Sequence, residues 1–255
     1  EDVNLFVNAG IDLSESFELY AFGSYGNRKA NGTGFFRRPN DARNRDFANG
    51  GAPFYPDGFL PQIDSDIEDI ALTAGIRGET GGWNLDLSIG YGTNRLDYGV
   101  SNSWNASLGG LVSPTEFDAG GLRSGQTAVN FDAQRDIDLG IGETSFAFGG
   151  EWRNENYKIV PGETASWVAG PFFFTNGAAP GAQVFPGFQP STRVDASRDS
   201  FAAYAELDTD LSDMFNVQIA GRYEHFSDFG DTLNGKIAAR FEPVEGLAFR
   251  GAAST

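Results

Sequence analysis

There is no cysteine anywhere in the chain, and only one histidine, His225, and one methionine, Met214. Without thiols, a disulfide scaffold, a thiolate metal site and a cysteine nucleophile are all excluded. Lysine is nearly as scarce: Lys29, Lys158 and Lys236 are the only three, so the other positive charges are arginines. Basic charge is short overall, with 18 Lys and Arg against 35 Asp and Glu and a net charge of -17, which argues against a nucleic-acid partner. No run of about 18 apolar residues occurs, so a transmembrane helix is excluded. No basic and apolar leader stands at Glu1, so a signal peptide is expected to have been removed or to lie upstream.

What is present is glycine, aromatic rings and a two-residue rhythm. The chain holds 34 glycines and 23 phenylalanines. Ten stretches alternate apolar and polar residues, the clearest being 83 to 91, where Trp83, Leu85, Leu87, Ile89 and Tyr91 share one face and Asn84, Asp86, Ser88 and Gly90 the other. Residues 215 to 224 repeat it through Phe215, Val217, Ile219, Gly221 and Tyr223, and 5 to 13 and 201 to 211 do so again. Weaker versions occupy 67 to 77, 126 to 141, 146 to 153 and 237 to 241, and a tenth begins at Leu247. At 17 to 26 the face is open, because Phe17, Leu19 and Tyr25 compete with Tyr20 and Phe22.

The joints between stretches alternate in length. Short ones lie near residues 15, 81, 143, 213 and 245, while 38 to 62, 105 to 125 and 161 to 193 read as long irregular insertions. Transmembrane strands need only about 9 to 11 residues with every second one apolar, and bacterial barrels have short periplasmic turns and long outer loops. A negative mean hydropathy is therefore compatible with a membrane protein. Phe17, Trp83, Phe146 and Phe215 each follow a short turn, and they are expected to form an aromatic girdle at one interface. The fold expected is all-β, an antiparallel up-and-down transmembrane β-barrel, partial, with about ten strands.

The stretch Ser200-Phe201-Ala202-Ala203-Tyr204-Ala205-Glu206-Leu207, then a turn and Asn216-Val217-Gln218-Ile219-Ala220-Gly221-Arg222-Tyr223-Glu224, resembles the middle of the barrel of TonB-dependent outer-membrane receptors. Residues 235 to 243 and 247 to 255 resemble the strands that follow it in that family, and over 1 to 160 mainly the strand and turn rhythm agrees. The resemblance implies a barrel of about 22 strands with a plugged lumen. It also implies a bacterial outer-membrane location and energy-coupled uptake of a scarce nutrient such as a siderophore, haem, cobalamin or a carbohydrate. The implied partners are that small molecule, outer-membrane lipid and lipopolysaccharide, and TonB through an amino-terminal region absent from this sequence; no cofactor is implied. With no plug domain and no terminal aromatic strand legible, residues 1 to 255 are expected to be an internal piece of the barrel domain.

No catalytic constellation emerges. His225 is flanked by Glu224, but adjacent strand residues point to opposite faces, so that carboxylate cannot orient the ring. Asp228-Phe229-Gly230 reads as a tight turn, Asp208-Thr209-Asp210 with Asp213 lacks the glycine and glutamate of a calcium loop, and Gly140-Ile141-Gly142 lacks the third glycine of a dinucleotide site. Arg37, Arg38, Arg43 and Arg45 crowd one outer insertion and could meet an anionic ligand or lipopolysaccharide phosphate, or pair with Asp41, Asp46 and Asp57. Trp167, Phe172, Phe173 and Phe174 are either ligand-facing or anchors that fold their loop. Two rival readings stand beside the receptor: a complete ten-stranded porin or protease, and a soluble β-sandwich binding module, which the strand lengths disfavour.

Overall fold

The computed structural model describes residues 2–255. Its frame is a meander of ten long strands: β1 (Asp2–Asp12), β2 (Phe17–Thr33), β5 (Gln62–Thr80), β6 (Trp83–Ser101), β7 (Phe117–Asp138), β8 (Glu143–Pro161), β9 (Val194–Ser212), β10 (Phe215–Phe226), β11 (Gly230–Val244) and β12 (Leu247–Ser254). The loop between β2 and β5 carries the two-residue strands β3 (Arg45–Asp46) and β4 (Ala52–Pro53), and the loop between β8 and β9 carries short helices α1 (Thr164–Trp167) and α2 (Pro171–Asn176). Each long strand pairs antiparallel with the long strand before and after it, and the sheet is open, with β1 and β12 as its edges.

The long connections fall on one side, at 34–61, 102–116 and 162–193, and the turns at 13–16, 81–82, 139–142, 213–214 and 245–246 on the other. One expectation is corrected: residues 117–125 belong to β7 and not to a loop. Their glycine-rich composition looks irregular, but Gly120 sits at φ 87, beside a register shift between Tyr98 and Gly99, and the ladder continues through the bulge. The β10–β11 connection, on the long-loop side, is the tight turn expected at Asp228-Phe229-Gly230.

Cross-strand register fixes the facing of every strand. From Ile11 a single line of partners runs through Leu19, Ile76, Leu87, Phe131, Gly150, Ala203, Tyr223 and Leu233. That settles 17 to 26: Leu19 and Tyr25 share the apolar face, whereas Tyr20 and Phe22 lie on the other. Leu5, Val7, Leu72, Leu87, Ile89 and Ile219 are all about half exposed or more. An apolar surface spread over ten strands far exceeds what a soluble monomer leaves in water, and hydrocarbon is the solvent that suits it.

The belt has the same width on three of the strands: Phe17 and Tyr25, Trp83 and Tyr91, and Phe215 and Tyr223 lie eight positions apart, about 26 Å of strand. The four rings after the short turns do share this face, and Trp83 packs edge-on against Phe148 at 5.5 Å, with Phe146 beside them. Relative to the register lines the belt slides about one residue per strand: Tyr25 is aligned with Thr93 two strands on, where the ring is Tyr91, and with Asn156 four strands on, where it is Trp152. A slide of ~3.3 Å per ~4.8 Å strand spacing means a tilt of roughly 35° from the membrane normal, as closed barrels require. Strands of 19 to 22 residues then rise about 50 Å or more, so their upper part stands above the bilayer. There the outer face turns polar, with Asn27 donating to Asp66 at 2.8 Å and Asn31 to Asp64 at 2.6 Å.

The opposite face is mostly polar across the belt, with Phe6 and Phe22 as its large apolar exceptions. Tyr20 reaches from β2 over Gly75 on β5 to donate to Asp86 on β6 at 2.8 Å. Tyr204 does the mirror image from β9, over Gly149 on β8, to Asp132 on β7. Any Cβ on either glycine would collide with the tyrosine ring above it, and the two carboxylates so approached face each other across the β6–β7 ladder.

Leu87 and Ile219 each lie midway between the belt's edge rings. Leu87→Arg and Ile219→Arg should each destabilise the full-length barrel in lipid vesicles by about 2 to 4 kcal/mol, and Gln218→Arg, facing inward, by much less; equal losses would refute the facing. Because the chain has no native cysteine, single cysteines report sidedness cleanly: Leu111→Cys should label from outside intact cells and Gly81→Cys should not, and labelling of both would refute the threading.

Candidate ligand-binding face: the loop cap and inner wall

The three long loops form one packed body. Trp104, from loop 102–116, is wholly buried; it stacks on Phe54 of loop 34–61 at 4.5 Å and donates its indole N–H to the Arg43 carbonyl at 2.9 Å. Phe59, Ala106 and Ala178 complete this cluster, with Phe47, Tyr55 and Phe172 against it, so all three loops contribute. Asn44 and Asn105 are also fully buried and do for the loops what a ladder does for strands. Asn44 braces Tyr55 through both backbone groups at 2.8 and 3.0 Å, and the Asn105 amide donates to the Ala165 and Val168 carbonyls at 2.9 Å each. Ser103 and Gln183 exchange two hydrogen bonds, at 3.0 and 2.9 Å.

A second cluster ties this cap to the inner wall. Val100, Phe117, Ala119 and Ala182 are buried together, with Tyr98 and Phe185 alongside. The Tyr98 ring, on the inward face of β6, meets Phe185 at 5.1 Å and Phe188 at 6.2 Å. Loop 162–193 therefore folds inward over the polar face and does not splay outward.

The four loop arginines separate. Arg37 is buried, its guanidinium 3.6 Å over the Phe35 ring, and its Nη1 donates to the Phe35 carbonyl at 2.8 Å. Arg43 lies 5.0 Å from the same ring and pairs with Asp41 at 3.0 Å. Burial alone would raise the Asp41 pKa, but hydrogen bonds from the Arg43 backbone and guanidinium outweigh it and hold that carboxyl below its ordinary value. Arg38 and Arg45 are exposed. Asp46 spends its carboxylate on the backbone N–H groups of Ala48 and Gly110, both at 3.0 Å, and caps a turn where an arginine pair was one expectation. The aromatic set divides too: Trp167 anchors its loop through the Gly162 carbonyl at 3.2 Å and Phe172 joins the first cluster, whereas Phe173 and Phe174 are exposed.

Beneath the cap, between β6 and β9, the inner wall holds a depression of about 640 Å³ lined by Asn94, Ser124, Gln126, Glu155, Tyr157 and Arg198. Arg198 is fixed from both sides, donating to Glu155 at 2.7 Å and lying 4.0 Å from Asp228, with Phe226 under it at 5.3 Å. Sequence reading missed this group because its members are scattered over a hundred residues. The available signal was phase: each strand residue occupies the inward position of its own alternation.

The remaining motifs resolve as structure. His225 meets Asp231 on the next strand at 2.7 Å, on the outer face and away from Glu224. Asp208 and Asp210 accept from the Asn216 amide, at 2.5 and 3.0 Å, and Gly140-Ile141-Gly142 makes the β7–β8 turn.

A family model described as TonB dependent receptor-like, beta-barrel, matches residues 8–255. No curated protein matches significantly. Among solved structures, the siderophore receptor PirA from Acinetobacter baumannii is similar with a TM-score of 0.60 at 12% identity, over 99% of this chain and 33% of that one. A mutant of the ferric enterobactin receptor PfeA from Pseudomonas aeruginosa gives 0.58 at 11%, over 99% and 32%, and the RagAB peptide transporter 0.58 at 10%, over 94% and 30%. The chain thus spans about a third of the structures it resembles, and at these identities the likeness is one of fold.

Trp104→Ala should loosen the cap by about 3 to 5 kcal/mol while leaving the ladders alone. In the full-length protein the expected result is faster proteolysis within 162–193 with an unchanged heat-stable barrel band on gels; an unaltered digestion pattern would refute the interlocked cap.

Proposed function

Since the chain belongs to the TonB-dependent receptor-like β-barrel family, whose members are receptors and transporters of the Gram-negative outer membrane and not enzymes, we propose that it forms about ten strands and three outer loops of such a receptor. On this reading the receptor takes up a scarce small-molecule nutrient with energy delivered through TonB, and further strands and a lumen-filling plug come from sequence beyond this chain. The observation that carries the proposal is the division of labour between faces. One face offers an apolar belt edged by aromatic rings to lipid, with lipopolysaccharide against its polar upper part, and the other is mostly polar and overhung by interlocked loops. A wall built this way holds a ligand above a gated lumen and passes it by conformational change, with no covalent step.

The cargo class most in keeping with the site is a siderophore. Two of the similar structures are a siderophore receptor and a ferric enterobactin receptor, and loop 34–61 concentrates arginine in an acidic chain. The RagAB peptide transporter shares the same fold, so fold alone does not choose between cargoes. Closure of these ten strands into a porin is disfavoured by β1 and β12 lying at opposite, unpaired edges.

In the full-length protein, deleting 162–193 should abolish or sharply weaken high-affinity uptake, because the loop supplies part of both cap clusters, while the barrel still assembles. Transport that persists after collapse of the proton-motive force or removal of TonB would sink the receptor reading.

A further inference from the structure

Arg37 is anomalous. It is only 4% exposed, yet among the described residues it has no carboxylate partner. Its Nη1 is taken by the Phe35 carbonyl, while Nε is buried and meets no acceptor. A charge held out of water without a counter-ion is costly, and proteins tolerate the arrangement where something else supplies the missing oxygen. Neighbouring charge makes matters worse: burial first, and then the Arg43 guanidinium, push the Arg37 pKa down, and only Asp41 opposes them. Asp41 is itself engaged, accepting from the Arg43 backbone at 2.9 Å and from its guanidinium at 3.0 Å.

We propose that Arg37, with Arg43 beside it and Phe35 as the floor for both guanidiniums, is the seat of a single oxyanion, a carboxylate or phosphate group. With Nη1 occupied, the free edge of the fork is the one that carries Nε, the edge that takes two oxygens of such a group side by side. The aromatic floor covers one face of the planar fork and leaves its edge as the place where a ligand oxygen is added. Exposed Arg38 and Arg45 contribute to the field that draws the anion in but not to the seat. An ordered water on Nε is the competing occupant. The seat rests on the receptor reading only for where the anion comes from: either an acidic group of the nutrient or a lipopolysaccharide phosphate reaching the rim.

The test uses the full-length receptor in uncharged detergent at low salt, titrated calorimetrically with inorganic phosphate, with citrate, and with neutral micelles carrying phosphorylated or dephosphorylated lipid A. At least one phosphate or carboxylate probe should bind. Arg37→Gln should weaken it about tenfold or more, Arg37→Lys by less, and Arg38→Gln or Arg45→Gln by under about threefold. Preference for free citrate or phosphate assigns the seat to a soluble ligand, and preference for phosphorylated lipid A assigns it to the membrane; both support the seat. Wild-type protein that binds none of the probes overturns it, as does Arg37→Gln binding like wild type with a protease-resistant cap. If Arg37→Gln opens the cap, Arg43→Gln decides by the same criterion, since Arg43 is partly exposed and its loss leaves Trp104 its backbone acceptor. Uptake independent of TonB would overturn the receptor reading while leaving the measured anion affinity unchanged, so the two failures are separable.

Discussion

In hydrocarbon no water is available to satisfy a backbone N–H or C=O, and that constraint organises the whole molecule. It demands that every residue crossing the belt be paired on both sides, and the ladders from β2 to β11 meet the demand almost without interruption. Continuous pairing in turn forces strict alternation, because a slip of one residue would turn a whole strand's apolar set toward the lumen. The register shifts, at Tyr98/Gly99, at the β9–β10 turn and near the β11–β12 turn, lie above the belt or at its lower edge, where water can repair them.

Tilt follows from the same ladders. A slide of about one residue per strand lets the aromatic edges keep a constant height while the register lines climb. The inward face must then accommodate large side chains from tilted neighbours. The paired clasps Tyr20–Asp86 and Tyr204–Asp132 do so by leaving glycine on the strand between, at Gly75 and Gly149. Each clasp joins strands two places apart, which backbone pairing alone cannot do, and so stiffens the wall against shear.

Above the membrane the physics changes to that of a small soluble domain. The loops have almost no ladder, so buried amides and hydroxyls of Asn44, Asn105 and Ser103 supply hydrogen bonds while Trp104 and its aromatic neighbours supply burial. Because the two clusters share loop 162–193, the cap and the top of the inner wall hold together as a unit, and movement of one loop must disturb the others. That coupling suits a face that both retains a ligand and responds to it.

The sequence by itself determined the strand count, the alternation of short and long connections, and the facing of Leu87, Ile219, Asp86 and Gln218, because two-residue periodicity is a local property that a bilayer reads directly. The girdle of Phe17, Trp83, Phe146 and Phe215 was legible for the same reason. Facing at 17 to 26 was not, since Tyr20 and Phe22 are as apolar by composition as Leu19 and Tyr25; only the register with β5 and the reach of Tyr20 to Asp86 decided it. The start of β7 at Phe117 was likewise hidden, because a glycine-rich bulge looks like a loop until its partner strand is in place. Most of the candidate site belonged to tertiary structure. Four arginines close in sequence became one buried cation, one paired with Asp41 and two exposed, and Phe172 parted from Phe173 and Phe174, because burial and pairing in a loop depend on which distant segment packs against it, here Trp104 from another loop altogether.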